Sequence, residues 1–129
     1  MPAVYLDTSA LGRILLGEPA APAVLRELGR FDAHVASLLR VELRRLALRH
    51  GLLEAAGELL AAVALVPLDQ VTLDGAETVL PAGLATLDAI HLVTALRLAD
   101  AGLLDTVMTY HARLAEGASR HGLTVLAPA

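Results

Sequence analysis

Cysteine is absent from this 129-residue chain, and so are lysine and tryptophan. Lack of cysteine excludes disulfides, thiolate metal sites and a thiol nucleophile. Lack of lysine excludes Schiff-base chemistry and the lysine of a P-loop, so all ten basic residues are arginine. Aromatic side chains are scarce: Tyr5, Phe31 and Tyr110 are the full set, too few for the stacking platform of a single-strand binder. Long apolar runs are missing as well. The longest, Leu59 to Leu68, is too short to cross a bilayer. The opening Met-Pro-Ala-Val-Tyr-Leu-Asp carries neither a basic region nor a cleavage site. A cytoplasmic protein without a membrane partner is expected.

What is present is an apolar, mildly acidic chain, 56% hydrophobic with a formal net charge of −4. A chain of this size buries close to two-thirds of its unfolded surface, so residues 1–129 are expected to form one domain. The negative balance argues against nonspecific coating of nucleic acid. Phosphate contacts would have to come from a local patch. Arg40, Arg44, Arg45 and Arg49 on one helix supply such a patch, with Arg13 and Arg113 as further candidates. The alternative is that these arginines only solvate a helix face.

Short apolar runs alternate with helical segments along the chain. Ala3 to Leu6 has strand character, and Asp7-Thr8-Ser9 supplies residues that start helices. Gly17, Pro19 and Pro22 should end that first helix. A second helix is expected over Ala23–Leu28, a strand over His34–Ala36, and a third helix over Leu38–His50, capped by Ser37 and closed by Gly51. Leu52–Val63 reads as a helix. Ala64 to Pro67 reads as a strand that its proline confines to a sheet edge. A short helix over Leu73–Leu80 and a loop at Pro81-Ala82-Gly83 follow. Thr86 then opens a long helix to Ala101. Thr106–Thr109 and Thr124–Leu126 are expected strands around a helix over Ala112–Arg120. This β-α alternation predicts an α/β fold whose mostly parallel sheet is covered on both faces.

Ligands of such sheets bind beyond the carboxyl ends of the strands. Asp7 ends the first strand, Asp88 opens a helix, and His111 follows a strand, so all three belong to that rim. Glu42, one turn inside its helix, is close enough to point in. Two unit charges about 4 Å apart repel by roughly 4 kcal/mol at an effective dielectric near 20. Three ionised carboxylates therefore need either a proton or a divalent cation to share one cleft. Mg²⁺ or Mn²⁺ suits an all-oxygen cage, and such ions serve phosphodiester hydrolysis. Individually the residues have simpler readings. Asp7 and Asp88 are good helix starters, Glu42 can pair with Arg45, and Thr8 and Ser9 either cap a helix or donate to a phosphate. His91, among apolar neighbours, reads as a buried structural residue that could also orient Asp88. His34, His50 and His121 read as surface.

Four segments together resemble a known family. Val4-Tyr5-Leu6-Asp7-Thr8-Ser9-Ala10-Leu11, Glu42 in an early basic helix, Leu87-Asp88-Ala89-Ile90-His91-Leu92-Val93-Thr94-Ala95 and Thr109-Tyr110-His111-Ala112-Arg113-Leu114 are similar to the motifs of the PIN domain, and within it of the VapC-type toxins of bacterial toxin–antitoxin pairs. The resemblance spans nearly the whole chain. It implies a five-stranded parallel sheet, Mg²⁺- or Mn²⁺-dependent endoribonuclease activity by metal-activated water, a homodimer, and a cognate antitoxin. It places Asp7, Glu42 and Asp88 as metal ligands. One position departs, because His111 stands where the family usually carries a fourth aspartate. Neutral imidazole suits Mn²⁺ better than Mg²⁺, so a second ion would bind weakly or as Mn²⁺. A catalytically weakened PIN-like scaffold is the rival reading. A receiver-type signalling domain lacks support, since it needs a second acid beside Asp7 and a late lysine. Leu11, Leu15, Leu16, Leu52, Leu53 and Leu59 are candidate contact residues for an oligomer or an antitoxin helix, or else core.

Overall fold

The computed structural model describes residues 3–129. Five strands, β1 (Ala3–Leu6), β2 (Ala33–Ala36), β3 (Ala64–Leu65), β4 (Leu104–Met108) and β5 (Thr124–Leu126), form one sheet in the order β3-β2-β1-β4-β5. Every pairing is parallel. The connections are helical: α1 (Thr8–Leu15), α2 (Ala21–Leu28), α3 (Leu39–His50), α4 (Leu53–Leu60), α5 (Gln70–Ala76), α6 (Thr86–Asp100) and α7 (Ala112–Arg120).

The central strand shows why the sheet is sandwiched. Side chains alternate across a strand, and in β1 Val4 and Leu6 enter one core while Tyr5 enters the other. Val4 and Leu6 pack with Leu11, Leu39 and Leu43 of α1 and α3. Tyr5 packs with Leu92 of α6, Leu114 of α7 and Val107 of β4. Both sides of the strand are fully buried, so its run of apolar residues is continuous rather than alternating. Each buried leucine contributes about 1.5–3 kcal/mol through removal of apolar area from water.

β1 lies between β2 and β4, where the chain switches direction across the sheet. That switch point opens a crevice at the carboxyl ends of the strands. The register pairs Leu6 with Met108, so the next residues along, Asp7 and Thr109, emerge side by side. This places the rim.

Local boundaries shift in ways the chemistry explains. α2 begins at Ala21 and takes Pro22 into its first turn, where a missing N–H costs nothing. α5 runs over Gln70–Ala76 instead of Leu73–Leu80, because the Asp69 side chain caps it by accepting from the Thr72 N–H at 2.9 Å. Ser37 caps nothing; its hydroxyl meets that of Tyr5 at 2.8 Å, and α3 starts without a side-chain cap. Gly51 ends α3 at φ 69°, left-handed backbone that glycine adopts freely. α4 stops at Leu60, β3 keeps only Ala64–Leu65 at the sheet edge, and β4 spans Leu104–Met108. Leu11 and Leu15 belong to the core, Leu16, Leu52 and Leu59 are half-buried, and Leu53 is exposed. His34 is not free surface: its Nε2 hydrogen-bonds the Leu28 carbonyl at 2.8 Å. Among the described residues no helix is long and apolar enough to cross a membrane.

Candidate functional site

Asp7 serves first as the N-cap of α1. Its Oδ1 accepts from the Ser9 N–H at 3.1 Å and from the Ser9 hydroxyl at 2.6 Å. Its Oδ2 accepts from the Thr109 hydroxyl at 2.8 Å, across the β1–β4 register. The side chain is 2% exposed. A buried carboxylate is tolerated only with such partners. Ser9 in turn accepts from the Tyr110 N–H at 2.8 Å, and Thr109 from the His111 N–H at 3.0 Å. Capping and site-building are therefore one arrangement here, not alternatives.

Glu42 occupies the first turn of α3, facing α1. Its Oε1 accepts from the Thr8 hydroxyl at 3.0 Å and lies 2.7 Å from His91 Nε2. Burial pushes the Glu42 carboxyl up, but the His91 hydrogen bond, the Thr8 hydroxyl and His111 outweigh it and hold the group below its ordinary range. Glu42 is a carboxylate kept charged by its neighbours. The expected pairing with Arg45 is absent among the described contacts. Thr8 and Ser9 spend their hydroxyl protons on the two acids, so neither is directed at an incoming phosphate.

Asp88 sits in the first turn of α6, where the helix dipole favours negative charge. Its Oδ1 lies 3.4 Å from His111 Nδ1, and Asp7 Oδ2 lies 3.5 Å from the same nitrogen. Strand end, helix start and the entrance to α7 thus converge on one imidazole.

Among the described residues, no group of three or more histidine, cysteine or acidic side chains is already gathered as a metal cage. The expectation that Asp7, Glu42 and Asp88 meet directly is corrected accordingly. Two acids flank His111, while Glu42 reaches the rim beside Thr8 with Oε1 bound to Thr8 and His91. The donor chemistry still fits a divalent cation. Asp7 and Asp88 present oxygens to a common point, and the hydrogen bonds to Glu42 all fall on Oε1. A cavity of about 360 Å³ at this rim is lined by Thr8, Ser9, Arg13, Glu42, Arg49 and His111, among others. A larger hollow of about 460 Å³ near α5 and α6 has a single acid, Glu77, and no histidine. The titratable chemistry is at the smaller one.

The arginines divide. Arg13 and Arg49 line the cleft, but Arg13 is held by Glu18 at 2.6 Å and lies 4.3 Å over the Tyr110 ring. Arg40, Arg44 and Arg45 line a separate hollow with Val41, Leu48 and Leu53. Arg113 donates to the Gly83 carbonyl at 3.0 Å and steadies the loop before α6. The single basic face read from the sequence is therefore two surfaces.

Sequence reasoning missed two functions. Thr109 grips Asp7, and its signal was the register, invisible without strand pairing. His91 grips Glu42 rather than orienting Asp88, although it is 2% exposed and its polar atoms demanded partners.

A PIN domain family model matches residues 4–117. The chain is 40% identical over 132 residues to Ribonuclease VapC46 of Mycobacterium tuberculosis (strain ATCC 25618 / H37Rv), covering 99% of each chain. It is 35% identical over 133 residues to Ribonuclease VapC47 of Mycobacterium tuberculosis (strain CDC 1551 / Oshkosh), covering 97% of this chain and 96% of that one.

Proposed function

The chain belongs to the PIN domain family, and from that premise we propose that it is an endoribonuclease, the toxin of a type II toxin–antitoxin pair. Its partners are an RNA substrate, a cognate antitoxin and a second copy of the chain, in the cytoplasm. Asp7, Glu42 and Asp88 are assigned as the residues that hold Mg²⁺ or Mn²⁺. The observation that carries the reading is the approach of Asp7 and Asp88 to one His111 nitrogen, within 3.5 Å, on the rim where Glu42 remains charged.

A divalent cation, when bound there, polarises water and the phosphodiester and offsets the charge that develops on bond breaking. The chain's own residues prepare the site. Ser9 and Thr109 fix both oxygens of Asp7, and Thr8 and His91 fix Glu42. Arg49, in the cleft and without an ion-pair partner among the described residues, meets the phosphate backbone. Arg13, already neutralised by Glu18, shapes the cleft wall. With few aromatics, recognition rests on RNA shape and backbone. His111 adds a nitrogen where an acid would favour Mg²⁺, so the second ion is weak or selects Mn²⁺.

The test is cleavage of defined RNAs by purified protein with and without EDTA, with RNA ends mapped after expression with and without the neighbouring gene. Cleavage abolished by EDTA and restored by Mn²⁺ or Mg²⁺ is the expected result. Cleavage indifferent to chelation overturns the assignment. The second reading, a weakened scaffold, is favoured only by His111 and by the open spacing of the acids; it requires that no RNA be cut in either metal.

A further inference from the structure

His91 is almost fully buried in α6, yet both of its ring nitrogens are engaged at 2.7 Å, Nδ1 with the Tyr5 hydroxyl and Nε2 with Glu42 Oε1. Tyr5 continues the line to the Ser37 hydroxyl at 2.8 Å. An ionised carboxylate only accepts hydrogen bonds, so His91 Nε2 must carry a proton and donate to Glu42. In the neutral ring Nδ1 is then an acceptor, which obliges the Tyr5 O–H to donate to it. The single proton of Tyr5 is thereby spent, and Ser37 must donate to the phenol oxygen. Every proton in the row Ser37, Tyr5, His91, Glu42 is therefore directed the same way. The four residues come from β1, the loop after β2, α3 and α6, so the row ties both faces of the sheet to one carboxylate.

We propose that His91 is the positioning residue of the site, and that the Ser37–Tyr5–His91 row fixes Glu42 by its Oε1 so that Oε2 is left to face a cation. This deepens the nuclease reading and rests on it. Two donors, Thr8 and His91, share Oε1, and together they fix the carboxylate's rotation. Tyr5 is suited to donate, because its buried hydroxyl lies between the Ser37 hydroxyl and His91 Nδ1. Hydrogen-bond partners of metal-holding side chains are worth about 10–100-fold in affinity or activity when removed.

The experiment compares Mn²⁺ binding by calorimetry in the RNA-free full chain for wild type, His91→Phe, His91→Gln, Tyr5→Phe and Glu42→Gln, with thermal melts alongside. His91→Phe is expected to weaken Mn²⁺ binding by about 10–100-fold. His91→Gln, which can donate to Glu42 and accept from Tyr5, recovers most of that loss, and Tyr5→Phe shows a smaller loss than His91→Phe. A purely structural His91 would lower the melting temperature and leave Mn²⁺ affinity alike in Phe and Gln variants. If Glu42→Gln binds Mn²⁺ as tightly as wild type, the metal reading itself fails. If Glu42→Gln loses binding while His91→Phe keeps it, only the positioning role fails. Should His91→Phe not fold, the ring of wild type decides: ¹⁵N spectra must show a proton on Nε2, and a ring protonated on Nδ1 alone overturns the proposal.

Discussion

Asp7 and Glu42 on one side of the cleft receive five hydrogen bonds, from Ser9 twice, Thr109, Thr8 and His91. Asp88 on the other side meets, among the described residues, a single imidazole at 3.4 Å. Exposure follows the same division only in part: Asp7 is 2% and the His111 ring 55% exposed, while Glu42 at 24% is more open than Asp88 at 15%. One side is rigid before anything binds, and the other is free to adapt. A preorganised group needs no rearrangement to meet developing charge, so the locked side should supply most of the catalytic effect. The loose side should tune which ion is accepted, since Mg²⁺ demands near-ideal octahedral oxygen geometry and Mn²⁺ tolerates imidazole.

The comparison is most severely tested by charge removal on the locked side. Asp7→Asn keeps an oxygen to accept from Ser9 and so keeps the cap, while its amide group faces Thr109, whose hydroxyl must turn from donor to acceptor, and the charge is lost; a thermal melt alongside separates lost fold from lost charge. Single-turnover RNA cleavage should fall by at least about 10²–10³-fold, with a similar fall for Glu42→Gln. Asp88→Asn should cost less, about 10–100-fold, and part of it should return as metal concentration is raised. A larger loss from Asp88→Asn than from Asp7→Asn would reverse the roles of the two sides.

His111→Asp addresses the loose side alone. It should raise Mg²⁺-supported cleavage several-fold and lower the ratio of Mn²⁺ to Mg²⁺ activity. Equal Mg²⁺ activity in both proteins would show that His111 has no part in ion choice.

The smallest effect is expected outside the cleft, at Asp69. The Arg97 guanidinium, 2.7 Å away, and then the Thr72 N–H hold its carboxyl at about 2, against an ordinary 3.8. Because the folded value is the lower one, this contribution is present above the unfolded value and is lost as pH falls through the folded value. Amide exchange in α5, corrected for intrinsic rates, should quicken between about pH 4 and 2. Asp69→Asn should flatten that dependence, and an unchanged profile would remove the contact from the account.

The fold was legible wherever one residue type decided the outcome. Ala3–Leu6 is apolar on both faces and could only be an interior strand, Gly51 could close α3 without strain, and Pro67 marked β3 as an edge. It was less legible where a side chain chose between partners. Asp69 set the start of α5 at Gln70, three residues ahead of the expected Leu73, and Ser37 turned to Tyr5 instead of to α3. At the candidate site, the nearness of Asp7, Asp88 and His111 was legible from their places relative to strand ends and helix starts, whereas the direct meeting of Glu42 with the two aspartates was expected and is not seen. Thr109 and His91 were not legible, because their roles depend on register and on contacts between segments 49 and 102 positions apart. Chain spacing alone holds no record of such distances.

The central claim is that Asp7, Glu42 and Asp88 together hold a divalent ion in this cleft. Anomalous diffraction from crystals soaked in Mn²⁺ tests it most directly. The expected result is a peak within coordinating distance of all three carboxylates, with Glu42 engaged through Oε2. A peak at Asp88 and His111 alone, or none in the cleft at saturating Mn²⁺, would contradict it.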